Sequence, residues 1–253
     1  TPHTTGPVRP PLVILVPFVI LLAAIATIFT SAIASYTKSI AMTRNFYGVL
    51  EVEHDDIEDA IILRHGRIIH GLQLRKIPRL PTMYYGFDTG VGLAIAELRE
   101  TRPNLRVGLV GLGAGTLAAY AQKNDVFRFY EINEAVTELA RKHFTFIEKA
   151  PVPIDIIHGD ARLKLEHEDD QAFDLLVLDA FSGDAIPTHL LTVEAMRVYQ
   201  RHMKPDGILA FHISNLHSDL RRVTETLATE AGLTAETLET PPVTVPETGQ
   251  SSI

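Results

Sequence analysis

The sequence contains no cysteine. Disulfides and thiolate metal sites are thereby excluded. Its eleven histidines are scattered, and none falls into an HxxxH or HExxH spacing, so the pattern predicts no metal centre. An excess of positive charge is also missing. Against 31 acids stand 23 lysines and arginines, a net charge of −8. That balance argues against general nucleic-acid binding and is compatible with cationic substrates. No internal repeat is present. What remains is an apolar-rich globular composition over 253 residues, enough for one large or two small domains.

The most informative stretch is Val107 to Asn133, VGLVGLGAGTLAAYAQKNDVFRFYEIN. A short apolar run, Val107 to Val110, predicts a buried strand. It leads into Gly111, Gly113 and Gly115, then into helix formers over Thr116 to Gln122. A second apolar run, Val126 to Tyr130, ends on Glu131. Strand, glycine turn, helix, strand and acid is the order of a nucleotide-binding βαβ unit. Glycines allow a tight turn and close ligand approach to a helix N-terminus. The acid at the second strand tip is placed to accept from ribose hydroxyls. The bland alternative is a glycine-rich turn in an ordinary α/β sheet.

Residues 1–11, rich in proline and threonine, predict a flexible lead-in, and the first residue is not methionine, as expected of an excised piece. Residues 12–35 carry no charge, and an apolar stretch of that length is expected to span a bilayer as a helix. Lys38 and Arg44 on one flank against Arg9 on the other favour a cytoplasmic C-terminal side, hence an inner-membrane protein in contact with the lipid bilayer. Residues 45–86 predict a small β-domain, with a hairpin turn at His65-Gly66 and a loop that delivers Tyr84 and Tyr85. Residues 87–239 predict alternating strands and helices, with strands at Ile154–Ile157, Phe173–Leu178 and Ile208–Ile213. This implies a mostly parallel, doubly wound sheet. Residues 240–253 predict a flexible tail.

Ligands in such sheets sit beyond the C-terminal strand ends. Glu131, Asp160 and Asp179 all fall at such ends. Asp160 also fits plain Gly-Asp turn chemistry. Asp179 and Asp184, in DAFSGDAIP, are two carboxylates that can hold a cationic amine and take its proton. Tyr84 and Tyr85 close the same pocket or form a core pair. His65, His70 and Gln73 face it or lie on a solvated hairpin.

These segments, with the hairpin pattern His65-Gly66, His70-Gly71-Leu72-Gln73 and the Thr82-Met83-Tyr84-Tyr85 loop, resemble the spermidine synthase (polyamine aminopropyltransferase) family, in particular its bacterial membrane-fused branch. The resemblance covers roughly Phe46 to Ala231. It implies a class I methyltransferase-like Rossmann fold behind a small β-hairpin domain and an N-terminal transmembrane helix. The implied donor is decarboxylated S-adenosylmethionine, with methylthioadenosine as by-product, a polyamine such as putrescine as acceptor, no metal, and a homo-oligomeric assembly. Gly111, Gly113, Gly115, Glu131, Asp160 and Gln73 would bind the donor. Tyr84, Tyr85 and Asp184 would bind the amine, and Asp179, with Asp184, would draw its proton. Two positions depart from the family pattern: Ala114 stands where an acid contacts the donor's aminopropyl end, and Ser182 where a second acid is usual. The chain also ends where family members continue into a last strand, as expected of a fragment. Ala114 opens a second reading, a methyltransferase or other user of intact S-adenosylmethionine. A third is a non-catalytic nucleoside-binding membrane module.

Overall fold

The computed structural model describes residues 12–181, 186–214, 219–239, 243–244 and 251–252. It divides into two compact units, Thr1–Ile40 and Ala41–Ile253. The first contains helix α1, Leu12–Lys38, with Pro17 inside it. This helix covers the stretch expected to span a bilayer. That expectation is not met, and neither are the inner-membrane location and bilayer contact that depended on it: among the described residues no helix is long and apolar enough to cross a membrane.

A four-stranded sheet follows, in the order β1 (Ser39–Asn45), β2 (Gly48–Asp55), β3 (Ala60–His65), β4 (Ile68–Leu74). Its strands alternate in the way period-2 side chains require. Leu50, Val52 and Leu63 pack into the main core, whereas Ala60, Ile62 and Leu72 pack with Met83 in a smaller cluster. The β3–β4 turn lies one residue later than expected. His65 still pairs with Ile68, and Gly66, at φ 59°, makes the bend.

Beyond helix α2 (Gly90–Thr101) the strands are β5 (Arg106–Val110), β6 (Val126–Glu131), β7 (Ile154–His158), β8 (Phe173–Leu178) and β9 (Met203–Phe211). All pair in parallel, in the order β7-β6-β5-β8-β9. The helices between them are α3 (Glu134–His143), α4 (Ala161–His167) and α5 (Val193–Arg201), with α6 (Arg221–Glu230) after β9. One core cluster gathers α2 and α3 through Ile95, Leu98, Leu139 and Ala140; the other gathers α4, α5 and α6 through Leu165, Met196, Tyr199 and Leu227. The sheet is therefore covered on both faces, and β8, buried at every position, is an interior strand between β5 and β9.

Three local expectations change. After Gly115 the chain makes a 3₁₀ turn, Thr116–Tyr120, in place of an α-helix. Asp125 ends it early: its carboxylate accepts from the Gln122 and Leu105 amides at 2.8 Å each, and that ties the chain back to the start of β5. Strand β9 begins at Met203, ahead of the expected 208, because the Lys204–Gly207 turn is absorbed as an irregularity opposite Phe173 and Leu175. In the stretch expected to be a flexible tail, β10 (Val243–Thr244) pairs antiparallel with β11 (Ser251–Ser252).

Candidate active site

The strand order reverses between β5 and β8, so their C-terminal ends open a crevice side by side. The sequence puts the glycine turn after β5, Glu131 at the end of β6, Asp179 after β8 and His212 after β9. Ladder bonds carry the register past the strand ends. The Asp179 amide donates to the Val110 carbonyl and the His212 amide to the Leu178 carbonyl, both at 2.9 Å.

Gly111, Gly113 and Gly115 all have positive φ, at 97°, 53° and 82°. The first two also have no room for a side chain. A Cβ on Gly111 would lie 2.3 Å from the Asp179 carbonyl oxygen, and one on Gly113 2.6 Å from that of His70. The protein's own chain, rather than a ligand, demands these glycines.

Asp179 is held by two donors. The Tyr85 hydroxyl donates to Oδ2 at 2.6 Å, and Nδ1 of His212 lies 2.8 Å from Oδ1. A carboxylate can only accept here, so that histidine nitrogen carries the proton. The Tyr84 ring stacks on His212 with centroids 4.1 Å apart. Burial, reinforced by Asp179, pushes both tyrosine hydroxyls well above their ordinary pKa. Glu131 is 7% exposed and accepts from the Leu112 and Asn133 amides at 2.9 and 2.8 Å. Burial is the larger effect and lifts its pKa to about 7. A carboxyl raised above its usual 4.5 destabilises the fold as pH rises from there to about 7.

The acids at the other end of the sheet behave differently. Asp174 pairs with Arg102 and Lys204 at 2.7 Å each, and Asp125 pairs with Arg99 at 2.9 Å. Among the described residues neither Glu131 nor Asp179 has a lysine or arginine partner. Both line one cavity, with Gly111, Gly113, His65 and His70, and no cationic lysine or arginine lines it among the described residues.

Other expected site residues lie elsewhere. Asp160 caps α4, accepting from the Leu163 amide at 2.9 Å, and its other oxygen lies 2.8 Å from His189 Nε2. Gln73 is 3% exposed and fully used within the fold: it donates to the Pro78 carbonyl and the Thr145 hydroxyl, and accepts from the Thr145 amide. Gly115 packs toward Ile147. Asp184 lies outside the described residues.

No family model matches the chain. A probable polyamine aminopropyl transferase of Bifidobacterium longum is 26% identical over 190 residues, 73% of this chain and 39% of that protein. A polyamine aminopropyltransferase of Vibrio vulnificus is 25% identical over 201 residues, 76% of this chain and 65% of that protein. The crystal structure of a probable spermidine synthase from Corynebacterium glutamicum superposes with a TM-score of 0.59 at 20% identity, over 75% of this chain and 68% of that one. Over about three quarters of its length the chain is similar to polyamine aminopropyltransferases. It spans less than two thirds of the length of either curated relative. The structural likeness establishes a Rossmann-like fold for this chain.

His212 is not among the residues picked out from the sequence. The rule that picked out Asp179, an ionisable residue just past a strand of the parallel sheet, applies equally to it. His70 was weighed as a pocket residue, and it does line the cavity.

Proposed function

We propose that the protein transfers an aminopropyl group from decarboxylated S-adenosylmethionine to a polyamine such as putrescine, releasing methylthioadenosine. The observation that carries this reading is a cavity with two carboxylates, Glu131 and Asp179, and no lysine or arginine among its described lining residues. Such a field attracts an amine and a sulfonium, and offers nothing to the carboxylate of intact S-adenosylmethionine. Polyamine aminopropyltransferase relatives support the same assignment.

In the reaction the amine nitrogen attacks the carbon beside the sulfonium. The carbon–sulfur bond breaks, and its electron pair neutralises the sulfur. The sulfonium is already an activated leaving group, so the protein mainly supplies position and an unprotonated amine. Asp179 takes the proton from the amine, and Tyr85 and His212 hold its carboxylate in place. Glu131 accepts from the ribose hydroxyls, and the glycine turn flanks the nucleoside. The resemblance also carries a homo-oligomeric assembly, which light scattering checks.

Incubation with the decarboxylated donor and putrescine is expected to release methylthioadenosine. Formation of S-adenosylhomocysteine from intact S-adenosylmethionine instead would replace this reading with methyl transfer. The reading of Glu131 has its own consequence. Its ionised form is the acceptor, so methylthioadenosine affinity should fall by up to about tenfold per pH unit below about 7 and level off above it. Calorimetric titration from pH 5.5 to 8.5 measures this. A flat profile for the wild type would remove Glu131 from ribose binding.

A further inference from the structure

Strand β4 lies directly over the glycine turn. A Cβ on Gly113 would sit 2.6 Å from the His70 carbonyl, and one on Gly71 would sit 2.4 Å from the Cβ of Ala114. Ala114 itself is 1% exposed. The space beside position 114 is thus taken by β4. A carboxylate there would have to displace the backbone at Gly71, so the acid that the family resemblance implies at this point has no room.

The residue next to Gly71 on that strand is His70, which lines the cavity shared by Glu131 and Asp179. Its Nε2 is buried and has no hydrogen-bond partner among the described residues. The neighbouring His65 ring, 5.5 Å away, is tied down: its Nε2 lies 2.7 Å from the Tyr47 carbonyl and so must carry the proton. Burial lowers the His70 pKa to about 4, which leaves its imidazole neutral. Buried polar atoms in folded proteins almost always have partners. The partner of this one is then a ligand group. With two carboxylates and no lysine or arginine among the described lining residues, the group drawn there is a cation. In the tautomer whose proton is on Nδ1, Nε2 of a neutral imidazole accepts a hydrogen bond from an ammonium.

We propose that His70 is a specificity-determining residue that accepts a hydrogen bond from the primary ammonium of the donor's aminopropyl arm, in place of the acid that Ala114 replaces. This deepens the function proposed above and takes the ligand's identity from it.

Three probes test it by calorimetry at pH 8. They are the decarboxylated donor, its dimethylsulfonium analogue, which keeps the nucleoside and the sulfonium but lacks the amine, and methylthioadenosine. The wild type is expected to bind the decarboxylated donor about tenfold more tightly than the analogue, the size of one charge-assisted hydrogen bond. His70→Leu should lose that factor while its affinities for the other two probes stay within about twofold. His70→Gln, with an amide oxygen near the Nε2 position, should recover most of it. Equal losses on all three probes, no loss on any, or a wild type that does not distinguish donor from analogue would each overturn the proposal. If His70→Leu fails to fold, His70→Gln is compared with His70→Asn, whose shorter side chain does not reach the Nε2 position. A deficit of the Asn variant confined to the decarboxylated donor supports the assignment, and equal affinities overturn it. A wild type that shows the expected binding pattern yet releases no methylthioadenosine with any polyamine refutes the aminopropyl-transfer reading and leaves the role of His70 supported.

Discussion

Replacing Asp179 with asparagine is expected to lower turnover by about 10²–10⁴-fold, the range in which a positioned general base contributes. The substitution changes charge and proton affinity with little change in volume. The Asn oxygen can still accept one of the two hydrogen bonds now made by Tyr85 and His212, at 2.6 and 2.8 Å. The Asn NH₂ must face the other donor. The tyrosine hydroxyl can rotate to accept, so the loop is expected to stay close to its present course. On the proposed mechanism, what is lost is the group that takes the proton from the attacking amine. Methylthioadenosine release at saturating donor and amine measures kcat, and calorimetry measures methylthioadenosine binding. We expect the first to collapse and the second to stay within a fewfold. More than a tenth of wild-type turnover in this variant would show that another group is the base.

The largest expected effect on stability lies in the glycine turn. Gly111→Ala should destabilise the protein by roughly 3 kcal/mol or more, enough to prevent folding of a marginal domain. Two costs combine. At φ 97° an alanine is strained, typically by 1–3 kcal/mol. Its Cβ would also sit 2.3 Å from the Asp179 carbonyl oxygen and 3.0 Å from the carbonyl carbon. Both are backbone atoms, so no side chain can swing away. Relief requires the ends of β5 and β8 to separate. Those ends are joined where Val110 pairs with Leu178 and the Asp179 amide meets the Val110 carbonyl. Gly66→Ala separates the two costs. That glycine also has positive φ, 59°, but nothing lies within 4 Å of its Cβ position. About 1 kcal/mol is expected there. Urea denaturation of both variants checks the difference. Equal losses would mean that the β5–β8 crossing is looser than the structure has it.

The two variants probe features that the sequence marks but whose partners lie far along the chain. The need for glycine at 111 could be sensed from the pattern of strand, glycines and acid. The partner that makes it necessary, the Asp179 carbonyl, is 68 positions along the chain. Likewise Asp179 was marked by its place after an apolar run, whereas Tyr85 and His212, which hold it, come from 94 and 33 residues away.

By itself the sequence determined the elements. Strand β8 follows from the run FDLLVL, buried at all six positions, and α3 from Asn133 at its cap and apolar residues at helical spacing. It also determined the α/β class and the glycine turn. Those signals are local: burial periodicity and backbone freedom are properties of a few neighbouring residues. Local signals failed at the 3₁₀ turn after Gly115, where the Asp125 carboxylate overrode good helix formers, and at the expected bilayer span, since among the described residues no helix is long and apolar enough to cross a membrane. The tertiary structure alone decided which polar groups are free. It used Gln73 in contacts to Pro78 and Thr145 and Asp160 at the head of α4, and it gave Asp174 to Arg102 and Lys204. Among the described residues it left Glu131 and Asp179 without such cations, and it brought His70 to their cavity. The physical reason is that a polar side chain has the same composition wherever it stands, and its chemistry is set by the partners that folding brings within hydrogen-bond reach.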